Sequence, residues 1–147
     1  ALNCFDDLEE GLAYARSVQK PVMLDFTGWG CVNCRKMEEQ VWSDPRVLQR
    51  LREKVVLVSL YVDERVKLPV EEQYYSEVLK SQVKTIGNKW SAFQAENYRT
   101  NSQPYYVLIG HEDLRPLNEP TAYDPDIQLF VDWLDDGVAA FQSESQG

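Results

Sequence analysis

Histidine, cysteine and basic residues are all scarce in this chain. Among 147 residues there are one histidine, His111, and three cysteines. A structural zinc site normally takes four Cys or His ligands. Beyond Cys31 and Cys34 only Cys4 and His111 remain, each alone and far away in sequence, so no metal site is expected and structural zinc is a minor alternative. Lysine and arginine number 15 against 24 aspartates and glutamates, a formal net charge of −9. Nothing in that balance neutralises a phosphate backbone, which argues against nucleic acid as a partner. The plain reading of the acidity is solubility. No run approaches ~18 consecutive apolar residues, so no segment of this chain is expected to span a bilayer. The chain opens at Ala1 with no secretory leader pattern, as a processed product or an excised domain would.

What the chain does have is apolar and aromatic material. Its hydrophobic content is 44%, with eight Tyr, five Phe and four Trp, which suits a globular protein rather than a disordered one. The length fits one domain over residues 1–147. At its centre lies Val22-Met23-Leu24-Asp25-Phe26-Thr27-Gly28-Trp29-Gly30-Cys31-Val32-Asn33-Cys34. The front half is a short apolar run between Pro21 and Gly28, as in a fully buried strand. The back half opens a helix, with Cys34, Met37 and Val41 at i, i+3 and i+7. Cys31 thus falls at a strand-to-helix turn, where free backbone N–H groups and the helix dipole favour a thiolate. A thiol of lowered pKa there is a nucleophile, and Cys34, one turn on, is placed to attack the mixed disulfide it forms. A merely structural disulfide is the weaker reading, because so short a loop stabilises little.

Along the chain, residues 6–19 read as an amphipathic helix capped by Asp6, with Glu9 at the capping-box position. The strand at 22–27 and a helix to about Trp42 follow, then a restart with Asp44 as N-cap and Pro45 at the first helical position. Val55 to Val62 is apolar and β-branched, as in a central parallel strand, which gives a right-handed βαβ unit. Residues 63–103 form an insertion with a helical excursion: a short helix over 71–79 and a better one over 88–98, carrying Trp90, Phe93 and Asn97. This stretch either selects partners beside the site or simply packs on the domain. Tyr105 to Ile109 and Leu114 to Leu117 are expected to pair as a hairpin, with His111 a surface residue at its tip and Tyr105 and Tyr106 in packing roles. A last helix is expected from Asp124-Pro125, with Ile127, Phe130, Val131, Leu134, Val138 and Phe141 on one stripe and a frayed tail from Ser143. Cys4, the odd cysteine, reads as a small buried hydrophobe near the first helix.

The run V-M-L-D-F-T-G-W-G-C-V-N-C-R-K-M-E resembles the active-site segment of the thioredoxin superfamily, and within it the C-terminal domains of the DsbD membrane thiol–disulfide interchange reductases. Asp25 six residues before Cys31, the C-V-x-C pattern, Glu38 seven residues after Cys31 and the following V-W-S-D-P carry the likeness. Gln103-Pro104, just before Tyr105 to Ile109, sits where that superfamily keeps a cis-proline beside its cysteines. One departure is that the tryptophan expected directly before the first cysteine stands one position earlier, as Trp29, with Gly30 between.

The resemblance implies an α/β thioredoxin-like fold: a central mixed β-sheet flanked by helices, with the insertion before the cis-proline strand. It implies that Asp25, a carboxylate whose pKa burial would raise, exchanges a proton with Cys34. Glu38 from its spacing is equally a solvated helix residue; the resemblance makes it a second acid that opposes thiolate formation. Trp29, Gly30, Gln103 and Pro104 would meet the substrate, Pro104 presenting Gln103's backbone to an extended segment. The implied function is a reductase of exported protein disulfides. It would work as a monomer on the periplasmic side of the inner membrane, recharged by a membrane-embedded electron-donor domain outside this chain. No dissociable cofactor is needed beyond the redox-active Cys31–Cys34 pair. A thiol oxidase or isomerase is the alternative within the same chemistry, since direction depends on reduction potential. A copper or zinc module on Cys31 and Cys34 is the alternative outside it.

Overall fold

The computed structural model describes Leu2 and residues 4–146, with the side chains of 145 and 146 excepted. In chain order the elements are β1 (Cys4–Phe5), α1 (Leu8–Val18), β2 (Val22–Thr27) and α2 (Val32–Met37), which continues into a π-helical turn (Glu38–Trp42). Next come α3 (Pro45–Glu53), β3 (Val56–Tyr61), a 3-10 turn (Val70–Glu72), β4 (Tyr74–Ser76), β5 (Ser81–Val83) and α4 (Ile86–Tyr98). β6 (Tyr105–Ile109), β7 (Thr121–Ala122) and α5 (Ile127–Gln146) complete it.

The main sheet has the order β1-β3-β2-β6-β7. β1, β3 and β2 are parallel, while β6 runs antiparallel to both β2 and β7, so the sheet is mixed. β2 and β3 lie in the middle with helices on both faces. Their near-continuous burial is why they read as unbroken apolar runs. Alternation along the strands splits the core in two. Val22, Leu24, Phe26, Val56, Val58 and Leu60 pack against α1 and Trp90 of α4. Met23, Leu57, Tyr106 and Leu108 pack on the other face, against Met37, Val47, Leu51 and Phe130. Asp25, two residues after Met23, points to the same face, the one covered by α2.

Several sequence expectations are corrected. α1 is capped by Asp7 rather than Asp6, its carboxylate accepting from the Glu10 N–H at 3.1 Å. Residues 71–79 are not a helix: a 3-10 turn leads into the β4–β5 hairpin, where Ser76 and Val83 are buried between exposed neighbours. Tyr74 and Tyr75 suit a strand, and Lys80 takes the left-handed turn conformation (φ 55°), its N–H donating to Ser76 O. β6 pairs with Thr121–Ala122 rather than with Leu114–Leu117. Pro116 has no N–H to give, and that segment makes a single bridge, Ile109 with Pro116. α5 starts at Ile127, with the Asp126 carboxylate accepting from the Leu129 N–H, and it continues through Gln146 instead of fraying at Ser143. Gly147 lies outside the described residues. Cys4 is an exposed residue of β1, a strand too short to be read from sequence.

Within 63–103, α4 is a core element, with Trp90 buried against the sheet. Its start is joined to the loop after β3: the Ile86 N–H donates to Val66 O and the Gly87 N–H to Glu64 O. A Cβ on Gly87 would lie 2.6 Å from backbone atoms of Val62 and Glu64, so only glycine allows that approach. The β4–β5 hairpin and the loop before it stand over a small separate cluster of Leu68, Val83 and Ala92.

Candidate active site

β2 ends at Thr27, and the chain turns through Gly28, Trp29 and Gly30 to reach Cys31, the N-cap of α2. The Cys31 N–H donates to Gly28 O at 3.2 Å, which closes the turn, and the Cys34 N–H points at the Cys31 sulfur at 3.2 Å. A sulfur held before the first free N–H groups of a helix is stabilised as a thiolate. Cys31 and Cys34 are joined as a disulfide with Cα atoms 5.3 Å apart. Cys31 is half-buried, whereas Cys34 is 2% exposed. The two sulfurs therefore differ in access as well as in position on the helix.

The turn is fixed by a residue that sequence reasoning missed. Asp63, just beyond β3, accepts from the Trp29 N–H at 2.9 Å and from the Gly30 N–H at 3.1 Å. The parallel register of Thr27 with Tyr61 brings these loops together, and no local sequence pattern reveals it. Trp29 is 60% exposed, and its ring stacks on Tyr61 at 3.9 Å with an interplanar angle of 16°. The Asp63 charge lies against the residues directly before Cys31 and disfavours a thiolate there. Asp63→Asn keeps one of the two acceptors that hold the turn, gives up the other and removes the charge. It is expected to lower the apparent pKa of Cys31 and to speed its alkylation at pH 6 by about two- to threefold, a modest effect because Asp63 is exposed. An unchanged alkylation profile would confine Asp63 to a structural role.

Behind the disulfide lies Asp25, 3% exposed. Its register partners are Ser59 on β3 and Tyr106 on β6, so the three side chains stand in a row across the sheet. The Ser59 hydroxyl donates to Asp25 Oδ2 at 2.8 Å. Burial pushes the Asp25 carboxyl up to about 7, with the Ser59 hydrogen bond and the Arg35 charge working against that rise and the Glu38 charge adding to it. The Cys4 thiol approaches Ser59 Oγ at 3.3 Å, which places the third cysteine at the edge of this row.

Glu38 opens the π-helical turn and pairs with Arg35 at 3.0 Å, both half-exposed. Desolvation raises its pKa, and Arg35 opposes the rise. Arg35 also donates to Thr27 Oγ1 at 3.1 Å, tying α2 to the end of β2. Gln103-Pro104 is a cis peptide bond and leads into Tyr105, the partner of Phe26 on β2. It therefore sits at the same end of the sheet as the disulfide. The Gln103 side chain donates to Gln94 Oε1 at 2.9 Å, and buried Gln94 in turn donates to Ser102 O. The structure thus groups Cys31, Cys34, Asp25, Glu38, Trp29 and Gly30 around the C-terminal end of β2, with Gln103 and Pro104 directly before the neighbouring strand β6. His111 lies elsewhere, its ring against Phe141 and its Nε2 2.7 Å from Lys20 O. Among the described residues no three His, Cys, Asp or Glu side chains are grouped as a metal site requires. No helix among them is long and apolar enough to cross a membrane.

A family model described as thioredoxin-like matches residues 3–79. The thiol:disulfide interchange protein DsbD of Salmonella typhimurium is 46% identical over 57 residues, covering 39% of this chain and 10% of that protein. DsbD of Vibrio vulnificus is 40% identical over 52 residues, 35% of this chain and 9% of its own length. The match thus spans about a tenth of these curated relatives. Among solved structures, a thioredoxin from Thermus thermophilus superposes with a TM-score of 0.64 at 22% identity, covering 91% of this chain and 85% of that one. The reduced C-terminal domain of Neisseria meningitidis DsbD superposes with a TM-score of 0.62 at 18% identity, covering 90% and 98%. At these identities the superpositions speak for the fold: a mixed sheet flanked by helices, with the cysteine pair on a helix that follows a central strand.

Proposed function

This chain belongs to the thioredoxin-like family, and from that premise we propose that it is a thiol–disulfide oxidoreductase working as a reductase of protein disulfides. The observation that carries the reading is the pairing of an accessible sulfur at a helix start with a buried one, backed by a buried carboxyl poised near neutrality.

In the reduced chain the Cys31 thiolate attacks one sulfur of a partner disulfide. A Cys31–partner S–S bond forms, the partner bond breaks, and the second partner sulfur leaves as a thiolate that takes up a proton. Cys34 then loses its proton to Asp25, or through it to solvent, and attacks Cys31 sulfur. The mixed disulfide breaks, the partner departs as a dithiol, and Cys31–Cys34 is left oxidised. Two electrons have moved from this chain to the partner. Glu38, held by Arg35, adds negative charge that restrains thiolate formation until a partner docks. Trp29, Gly30, Gln103 and Pro104 frame the approach to Cys31.

No dissociable cofactor enters this cycle. A membrane-embedded donor domain outside this chain would return the pair to its dithiol, and exported proteins on the periplasmic side of the inner membrane would be the acceptors, met by a monomer. The short DsbD likeness supports this placement. The test is a single turnover with chain that has been reduced and freed of reductant. Insulin should lose disulfides in proportion to the chain added, while Cys31–Cys34 becomes oxidised. Insulin left intact by a chain that instead takes up copper(I) or zinc at one ion per Cys31–Cys34 pair would replace the reductase reading with a metal module.

A further inference from the structure

We propose that the groove leading from Trp29 to the 3-10 turn at Val70–Glu72 receives the acceptor segment flanking the attacked disulfide, and that it favours an extended segment pairing an apolar side chain with a lysine or arginine. This rests on the reductase reading and adds to it a substrate class.

The groove encloses about 460 Å³. Trp29, Tyr61, Ile86 and Trp90 are among its apolar lining residues. Trp29 is 60% exposed even though one ring face is covered by Tyr61, and Val66 and Val70 nearby are 57% and 80% exposed. Large apolar side chains left open together mark a binding surface more than a stable free one. The groove is also continuous with the chemistry. Trp29 lies two residues before Cys31 on the turn held by Asp63. A protein whose sulfur reaches Cys31 must lay its neighbouring residues across that turn. The far wall is built by the loop after β3, which adds nothing to the main sheet.

The charges set the preference. Four carboxylates, Asp6, Asp7, Glu64 and Glu72, line the groove against the two ammonium groups of Lys67 and Lys89. Asp7 and Glu64 are partly satisfied by backbone N–H groups of Glu10, Arg65 and Val66. Among the described residues the Asp6 and Glu72 carboxylates have no hydrogen bond or ion pair, which leaves their charge for an incoming cation. Lys89 is drawn over the Trp90 ring, 4.7 Å from its centroid. An excess of negative charge around an apolar floor complements a segment carrying both an apolar and a basic side chain.

The experiment uses the reduced chain, two cystine-looped peptides that differ only in Phe-Lys or Phe-Glu beside the disulfide, and the neutral small molecule bis(2-hydroxyethyl) disulfide. The chain should reduce the Phe-Lys peptide about fivefold faster than the Phe-Glu peptide, the size expected of two exposed charge pairs. The preference should shrink as salt rises. Asp6→Lys with Glu72→Lys should invert it and leave bis(2-hydroxyethyl) disulfide untouched, since neither residue belongs to the redox machinery. Equal rates for the two peptides, or equal changes toward peptides and the small disulfide, would overturn the groove. So would sedimentation of a dimer whose dissociation by Glu72→Lys exposes Trp29, because a second copy would then be the occupant. If the chain reduced none of the three disulfides, the reductase reading itself would fall, a result distinct from reduction without discrimination.

Discussion

Cys31→Ser is expected to abolish the disulfide reduction proposed for this chain, whereas Cys34→Ser is expected to leave it covalently attached to its partner. The asymmetry follows from position. Cys31 is the N-cap of α2 and half-buried, while Cys34 is one turn inside the helix and 2% exposed. An incoming disulfide meets Cys31 first, and the N–H groups at the helix start, including that of Cys34 at 3.2 Å, favour its thiolate. Without Cys31 the pair has no accessible sulfur, and Cys4, whose thiol pKa desolvation pushes up, stays protonated and is a poor nucleophile. Without Cys34 the first attack still occurs, but nothing resolves the product. Non-reducing electrophoresis of Cys34→Ser mixed with a disulfide substrate should show a new band that a small thiol removes, and Cys31→Ser should show none. Alkylation of reduced wild-type chain that marked Cys34 ahead of Cys31 would reverse the assignment.

The second large effect is on stability. Asp25→Asn should stabilise the folded chain at pH 8 and change it little at pH 4. Asp25 is buried and its carboxyl is pushed up to about 7, while in the unfolded chain it titrates near 4. Below about pH 4 both states hold the proton, and the stability associated with the neutral acid is fully present. Between about 4 and 7 only the folded state keeps the proton, so stability falls as pH rises. Above about 7 the folded state carries a buried carboxylate, and the accumulated loss is on the order of 4 kcal/mol. Asparagine keeps an acceptor for the Ser59 hydroxyl and has no charge to lose. Urea unfolding of the oxidised proteins should give midpoints that coincide at pH 4 and separate by about 2 M at pH 8, for slopes of ~2 kcal/mol per M. Parallel pH profiles for the two proteins would mean that Asp25 is not the titrating group. On the proposed route, in which Asp25 takes the Cys34 proton, the same substitution should slow release of the trapped partner near pH 7.

How much of this was legible in the sequence depended on whether a feature was local. β2 and β3 could be read because strands covered on both faces are apolar throughout. The cap of α3 at Asp44-Pro45 was legible for a similar reason: its pattern is contained in a few consecutive residues. The position of Asp25 inside an apolar run marked it as buried before any contact was known. Ser59 and Asp63 gave no such sign. They meet Asp25, Trp29 and Gly30 only because β2 and β3 pair in one parallel register, which a single sequence does not specify. Residues 71–79 are ambiguous because a few apolar positions among acidic ones fit a helix turn as well as a strand, and the hairpin is settled by the packing of its Val83 against Leu68 and Ala92. Leu114–Leu117 fits a strand by its apolar pattern, but the missing N–H of Pro116 removes a ladder bond and leaves β6 to pair with Thr121–Ala122. The groove beside Trp29 joins Asp6, Trp29, Glu72 and Trp90 from four separate segments, and no spacing rule brings them together.

The reduction potential of the Cys31–Cys34 pair tests the central claim most directly. Equilibrating the chain in glutathione or dithiothreitol buffers and counting alkylated thiols gives it without any partner protein. A reductase of protein disulfides predicts a value at or below about −200 mV, on the reducing side of the disulfide-isomerase range. A value near −120 mV would make the pair a strong oxidant, and the direction of electron flow argued above would be wrong.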